Sequence, residues 1–185
     1  MKYAKVTLEP LTRDDRDSFI LDNQWAFKYG AMMEFGMRDD SVDAQGEIIS
    51  RETIEHCLDK TGNAAYRIWM DGKKVGGVIL AIHEDTGHNE LEILFVHPDF
   101  HSLGVGYGAW QAVEAMYPDT KVWETCTPYF EKRNIHFYIN KCGFQAVEFF
   151  HAFHRDPNMP EEMREEGPDE MFRFVKIMQK PTQAV

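Results

Sequence analysis

The spacing of apolar and polar positions changes period several times along the chain, and each change marks an element. Residues 3 to 9 (Tyr-Ala-Lys-Val-Thr-Leu-Glu) alternate and carry β-formers, which predicts a first strand ended by Pro10. From about Arg13 to Tyr29 the period becomes helical, with Phe19, Ile20, Trp25 and Ala26 in phase and Thr12 or Asp14 as the expected cap. Residues 30 to 40 are too punctuated by glycine to assign. A second helix is predicted over Glu47 to Lys60, with Ile48, Ile49, Ile54 and Leu58 on one face and Gly62 as its stop. Ala65 to Met70 and Lys74 to His83 then read as two strands joined at Asp71-Gly72, a pair suited to a tight hairpin turn. Gly87 leads into a fourth strand, Leu91 to Val96.

Pro98 and Asp99 end that strand, and Gly106 to Met116 predict a helix that stops near Pro118. Lys121 to Cys126 read as a strand. Residues 130 to 142 read as a helix carrying Ile135, Tyr138, Ile139 and Cys142, with Gly143 capping its C-terminus. Phe144 to Phe153 and Phe172 to Gln179 are predicted strands, separated by residues 154 to 170, where seven acids and three prolines predict a solvated connection. The order β-α-α-β-β-β-α-β-α-β-β, with no repeat and no long linker, predicts an α/β chain of one domain, residues 1–185, built on a mixed sheet flanked by helices.

At 185 residues, 43% apolar and 13% aromatic, the chain can bury a core without staples. No apolar run approaches the roughly 20 residues that cross a bilayer, and the first residues lack the apolar core of a signal peptide, so a cytoplasmic location is expected. A formal charge of −11 argues against nucleic acid and anionic membrane as partners and is compatible with a cationic substrate. Cys57, Cys126 and Cys142 are odd in number and form no Cys-x-x-Cys pair, so free thiols are expected. His97, His101, His136, His151 and His154 lack metal-ligand spacing, and no metal is expected.

The chemistry concentrates between strand and helix. Gly104, Gly106 and Gly108 let the backbone turn sharply at a helix N-terminus, where free N–H groups and the helix dipole favour an anion, which predicts an anion cradle over Phe100 to Gly108. A P-loop would need Lys and Ser or Thr where Ala109 and Trp110 stand, and the dinucleotide fingerprint is spaced differently. The stretch His101-Ser-Leu-Gly-Val-Gly106, following Val-His-Pro-Asp, resembles the pyrophosphate loop of the GCN5-related N-acetyltransferase family, which usually has Arg or Gln where His101 stands. A second segment, Arg133-Asn-Ile-His-Phe-Tyr-Ile-Asn-Lys-Cys-Gly-Phe144, is similar to the family's Asn…Tyr…Gly-Phe stretch. It has four residues between Tyr138 and Gly143 where the family more often has three. The element order is that of the family too.

The resemblance implies a mostly antiparallel mixed sheet of about seven strands and transfer of an acetyl group from acetyl-CoA to an amine. It implies that Leu103, Gly104, Val105, Gly106, Tyr107 and Gly108 bind the CoA pyrophosphate, with His101 as a donor to phosphate. Backbone N–H near Phe95 or Val96 would hold the acetyl carbonyl, Asn134 would contact the CoA arm, and Tyr138 would protonate the thiolate. An amine attacks a thioester only as the free base, so a proton acceptor is needed. Glu90, Glu92 and Glu124 are candidates, and Glu92 is preferred because it lies nearer the loop and deeper in its strand. Substrate recognition in the family falls to regions that here supply Trp25, Phe27, Tyr29, Met32, Met33, Phe35 and the acidic loop Asp156 to Glu170, features suited to an amine-bearing small molecule or peptide. Two rivals stay open: a non-catalytic acyl-CoA sensor on the same fold, and an interaction protein with a purely structural glycine turn. A homodimer is left open as well.

Overall fold

The computed structural model describes residues 5–34, 45–157 and 170–178. Asp71 and Gly72 both take positive φ, 50° and 74°, the geometry of a two-residue hairpin turn. They join β2 (Asn63–Met70) to β3 (Lys73–Ala81), which pair antiparallel with Met70 opposite Lys73. β1 (Thr7–Pro10) pairs antiparallel with β2 at the sheet edge, where Pro10 costs no ladder hydrogen bond to a further strand. With β4 (His88–Val96), β5 (Val122–Pro128), β6 (Gln145–Phe150) and β7 (Met171–Ile177), the strands form one seven-stranded sheet in the order β1-β2-β3-β4-β5-β7-β6. β4 and β5 are parallel, whereas β5 with β7 and β6 with β7 are antiparallel, so the sheet is mixed as expected. Among the described residues no helix is long and apolar enough to cross a membrane.

The chain divides into two compact units. One comprises the described residues up to Ala81 with Leu91–Pro118; the other comprises Ile82–Glu90 with the described residues from Asp119 onward. In the first unit, α1 (Arg16–Tyr29) and α2 (Arg51–Asp59) bury Phe19, Ile20, Ala26 and Ile54 against Ile79, Ile93 and Phe95. A separate cluster joins Val105 and Ala109 of α3 (Val105–Met116) to Ile68 and Val75. The second unit carries α4 (Lys132–His136), whose successor turn places Tyr138 against Phe144 and Phe174.

Several boundaries differ from the periodicity reading. The predicted first helix begins as a short 3-10 turn, Arg13–Asp15, with Asp14 inside it and Thr12 at its N-cap making no side-chain cap hydrogen bond; Asp15, the N-cap of α1, makes none either, its carboxylate being engaged by Arg67 and Lys74. α2 starts at Arg51 rather than Glu47, since the Ser50 hydroxyl accepts from Thr53 N–H at 3.1 Å and fixes the N-terminus there. The helix predicted over 130 to 142 is α-helical only to His136 and continues as a π-helix, Phe137–Cys142, up to left-handed Gly143. The strand predicted over Phe144 to Phe153 ends at Phe150, and His151 and His154 close a tight turn by pairing with each other. Tyr3, Phe35 and residues 158–169 of the acidic connection lie outside the described residues.

Candidate active site

In the first unit the turn after β4 is built from three local devices. Pro98–Phe100 form a 3-10 turn in which His97 Nδ1 accepts from Asp99 N–H. Ser102 and Gly104 take left-handed φ of 65° and 79°, and Gly104 is the N-cap of α3. Glycine is suited to that place because an L side chain there is strained. The first N–H groups of an α-helix precede its i to i−4 ladder, and no acidic residue lies in the first turn of α3. Such an N-terminus favours an anion. Leu103 is exposed, and Gly106, Tyr107 and Gly108 are part-exposed on the first two turns.

His101 does not extend away from this turn. Its Nε2 lies 3.0 Å from the carbonyl oxygen of Val96, the last residue of β4. A carbonyl only accepts, so Nε2 carries the proton. The Tyr29 ring stands edge-on to the imidazole at 5.9 Å, and Trp25 lies one helical turn back with its ring 6.2 Å from Tyr29. Trp25 is exposed on α1, while Phe27, Tyr29 and Met32 are half-buried.

Burial alternates along β4, with Leu91, Ile93 and Phe95 buried and Glu90 and Glu92 part-exposed. Glu92 Oε1 pairs with Lys60 Nζ at 2.8 Å, and its side chain is 19% exposed. Its other oxygen faces the Cys57 thiol at 4.0 Å. Desolvation, with the Glu92 charge adding to it, pushes that thiol up to about 12, so Cys57 meets Glu92 as a neutral donor. Lys60, like Arg173 in the second unit, is a residue the sequence did not single out. A lysine at a helix end carries no signal of a partner 32 positions away.

In the second unit Glu90 and Glu124 are register partners on β4 and β5. Glu124 is clamped by Arg173, whose Nε and Nη2 reach its two oxygens at 2.5 and 2.9 Å. His88 lies 3.3 Å away. The Arg173 hydrogen bonds, against a smaller effect of desolvation, hold the Glu124 carboxyl below its ordinary value. Arg173 also donates to Glu148. Arg173 therefore holds Glu124 as an anion. Cys126 is exposed as a residue, yet desolvation of its thiol, with Asp156 and Glu124 adding, pushes it up to about 12. A thiol so held is a poor nucleophile at neutral pH. Replacing Cys126 with Ala is expected to leave acetyl transfer within about twofold of the parent, and no acetylated cysteine should appear by mass spectrometry.

Tyr138 is only 6% exposed and is packed among Phe137, Phe144 and Phe174. Desolvation raises its phenol well above the ordinary range, and a hydrogen bond with Thr125 opposes this only in part. Asn134 lies on α4, half-buried. Nothing in the sequence distinguishes a buried helical tyrosine from an exposed one in this segment.

The family model described as Acetyltransferase (GNAT) family matches residues 25–144. The chain belongs to that acetyltransferase family. Its β4, left-handed glycine turn and α3 fall within the matched region, as do Asn134 and Tyr138. The uncharacterized protein YrkN of Bacillus subtilis (strain 168) is 44% identical over 181 residues, 95% of each chain. The ribosomal-protein-S18-alanine N-acetyltransferase of Escherichia coli shares the fold with a TM-score of 0.66 at 12% identity, over 97% of this chain and 98% of the other. The spermidine N-acetyltransferase of Vibrio cholerae, solved with CoA and spermine, has a TM-score of 0.62 at 13% identity, over 94% of this chain and 95% of the other. As a GNAT protein the chain is an acetyl-CoA-dependent N-acetyltransferase.

Proposed function

We propose that residues 1–185 act as one N-acetyltransferase domain that moves the acetyl group of acetyl-CoA directly to a primary amine of a small molecule or peptide. The observation that carries this reading is the turn from β4 into α3: a left-handed Gly104 cap, an exposed helix N-terminus and no acid in the first turn. Leu103 to Gly108 take the pyrophosphate. Backbone N–H at Phe95 or Val96 takes the acetyl carbonyl, and Asn134 contacts the CoA arm. Glu92, directly or through water, accepts the proton that the amine must lose. The amine displaces Lys60 from Oε1 or shares that oxygen with it. The direct route needs no protein nucleophile, which agrees with the raised Cys57 and Cys126 thiols. Trp25, Tyr29 and the anionic Glu124 are assigned to the amine, a choice that the spermidine and the ribosomal-protein alanine named for the structural relatives also suit.

Tyr138 is assigned to the leaving thiolate. A phenol raised above its usual range is a weaker acid than a thiol of pKa about 8.5, so complete proton transfer from it would run uphill. Its role is to donate a hydrogen bond while the negative charge develops. Tyr138→Phe, which keeps the ring packing, is expected to lower kcat by roughly 100-fold with KM for acetyl-CoA unchanged. A silent variant would assign Tyr138 to packing alone. The reading is tested first by ligand: acetyl-CoA at about 100 times its Kd should stabilise the protein by about 2.7 kcal/mol, seen as a melting shift of several degrees. An acyl-CoA sensor would give the same shift but no turnover with any amine.

A further inference from the structure

We infer that His101 is a positioning residue, a strut that ties the pyrophosphate turn to the end of β4, and that it does not bind phosphate. The inference rests on the reading of residues 101–108 as the CoA loop and concerns what this chain does with the position where its family usually places Arg or Gln. The imidazole turns back along its own chain, and Nε2–H donates to the Val96 carbonyl five residues earlier at 3.0 Å. The ring is part-buried, and Tyr29, the last residue of α1, closes on it edge-to-face at 5.9 Å.

Both ends of the strut matter. At one end is Val96, where β4 stops; its neighbour His97 is tied to β3 by N–H donation to the Val75 carbonyl at 2.9 Å. At the other end the chain must place Ser102 in the left-handed region before Gly104 opens α3. A serine holds that conformation only where its surroundings impose it. The flanking turn supplies two backbone hydrogen bonds, Phe100 N–H to His97 and His101 N–H to Pro98. The ring on Val96 adds a third tie, from the end of β4 to the residue that precedes Ser102. The pyrophosphate is then met by backbone N–H groups of a turn already ordered, and the ordering entropy is not charged against CoA binding.

The test is hydrogen–deuterium exchange of the CoA-free protein combined with calorimetry of CoA binding. In His101→Ala, exchange in residues 97–104 should accelerate about tenfold without CoA present, while β3 and α3 keep their protection, and CoA affinity should fall about tenfold. Tyr29→Leu, which leaves the imidazole in place, should show the same pattern at a few-fold. Unchanged exchange in the CoA-free loop with weakened CoA binding would overturn the strut and return His101 to the phosphate. Exchange spread through β3 and α3 would overturn it too, as a general stability role. Failure of the parent protein to bind CoA would instead sink the reading of the loop on which the inference stands.

Discussion

Arg67→Met is expected to lower the melting temperature by roughly 10 °C, the largest stability effect foreseen for a single substitution in this chain. Arg67 is only 2% exposed, on the inner strand β2. Its Nε and Nη2 reach the two oxygens of Asp15 at 2.7 and 3.2 Å, Nη1 reaches Asp22 at 2.8 Å, and Nη2 also meets the Ser18 hydroxyl at 3.2 Å. The guanidinium lies over the Phe19 ring, 5.1 Å from its centroid. Methionine fills much of the volume but leaves Asp22 and half of Asp15 without a cation, and removing one partner of a buried pair costs about 3 kcal/mol or more. The same network gives a pH dependence. Desolvation raises the Asp15 carboxyl, but hydrogen bonds from Arg67 and Lys74, with their charges, outweigh it and hold it below its ordinary value. A carboxyl lowered on folding stabilises the protein above its unfolded pKa of about 3.9. That contribution is lost as pH falls through the lower folded value. In Arg67→Met the acid-induced part of the unfolding curve should therefore flatten. An unchanged melting temperature would show that the network is dispensable.

Gly76→Ala is expected to reduce kcat/KM by about 100-fold while the protein still folds. A Cβ at Gly76 would lie 2.2 Å from the Phe95 carbonyl oxygen and 3.1 Å from Val96 Cα, all backbone atoms. Backbone cannot yield as a flexible side chain can, so β4 must move where the acetyl carbonyl is proposed to bind, and a misplacement of about 1 Å is enough for a loss of that size. Overpacking of this kind costs about 1–3 kcal/mol in stability, which a domain of this size tolerates. The neighbouring Gly77 makes a useful contrast. Its added Cβ would meet the rings of Phe19 and Phe95 at 2.3 and 2.6 Å, so Gly77→Ala should act chiefly on stability, through the core. Equal activity of Gly76→Ala and the parent would detach the end of β4 from catalysis.

Much of this was legible in the residues because period and turn chemistry are local. The Asp71-Gly72 turn and the alternation along β4 need only neighbours a few positions apart, and the structure bears them out. The glycine turn was legible for the same reason, since a left-handed N-cap calls for a residue without Cβ. What was not legible depends on partners distant in the chain. Ser50, not a residue before Glu47, sets the start of α2, and Asp15 fails to cap α1 because Arg67 and Lys74 engage it from β2 and β3. Pattern assigned the 130–142 segment one helix; its second half is a π turn, and Tyr138 lies in the core. The His101 imidazole faces back to Val96, a direction that spacing cannot specify.

The most direct test of the account is amine-dependent release of CoA. The protein is incubated with acetyl-CoA and, separately, polyamines, amino acids, aminoglycosides and peptides with free amino termini, with free thiol and acetylated product both quantified. At least one amine should yield CoA and N-acetyl product in equal amounts, Glu92→Gln should abolish most of this, and acetyl-CoA binding should survive the substitution. Saturable acetyl-CoA binding with no amine-dependent release across the panel would contradict the proposed acetyl transfer.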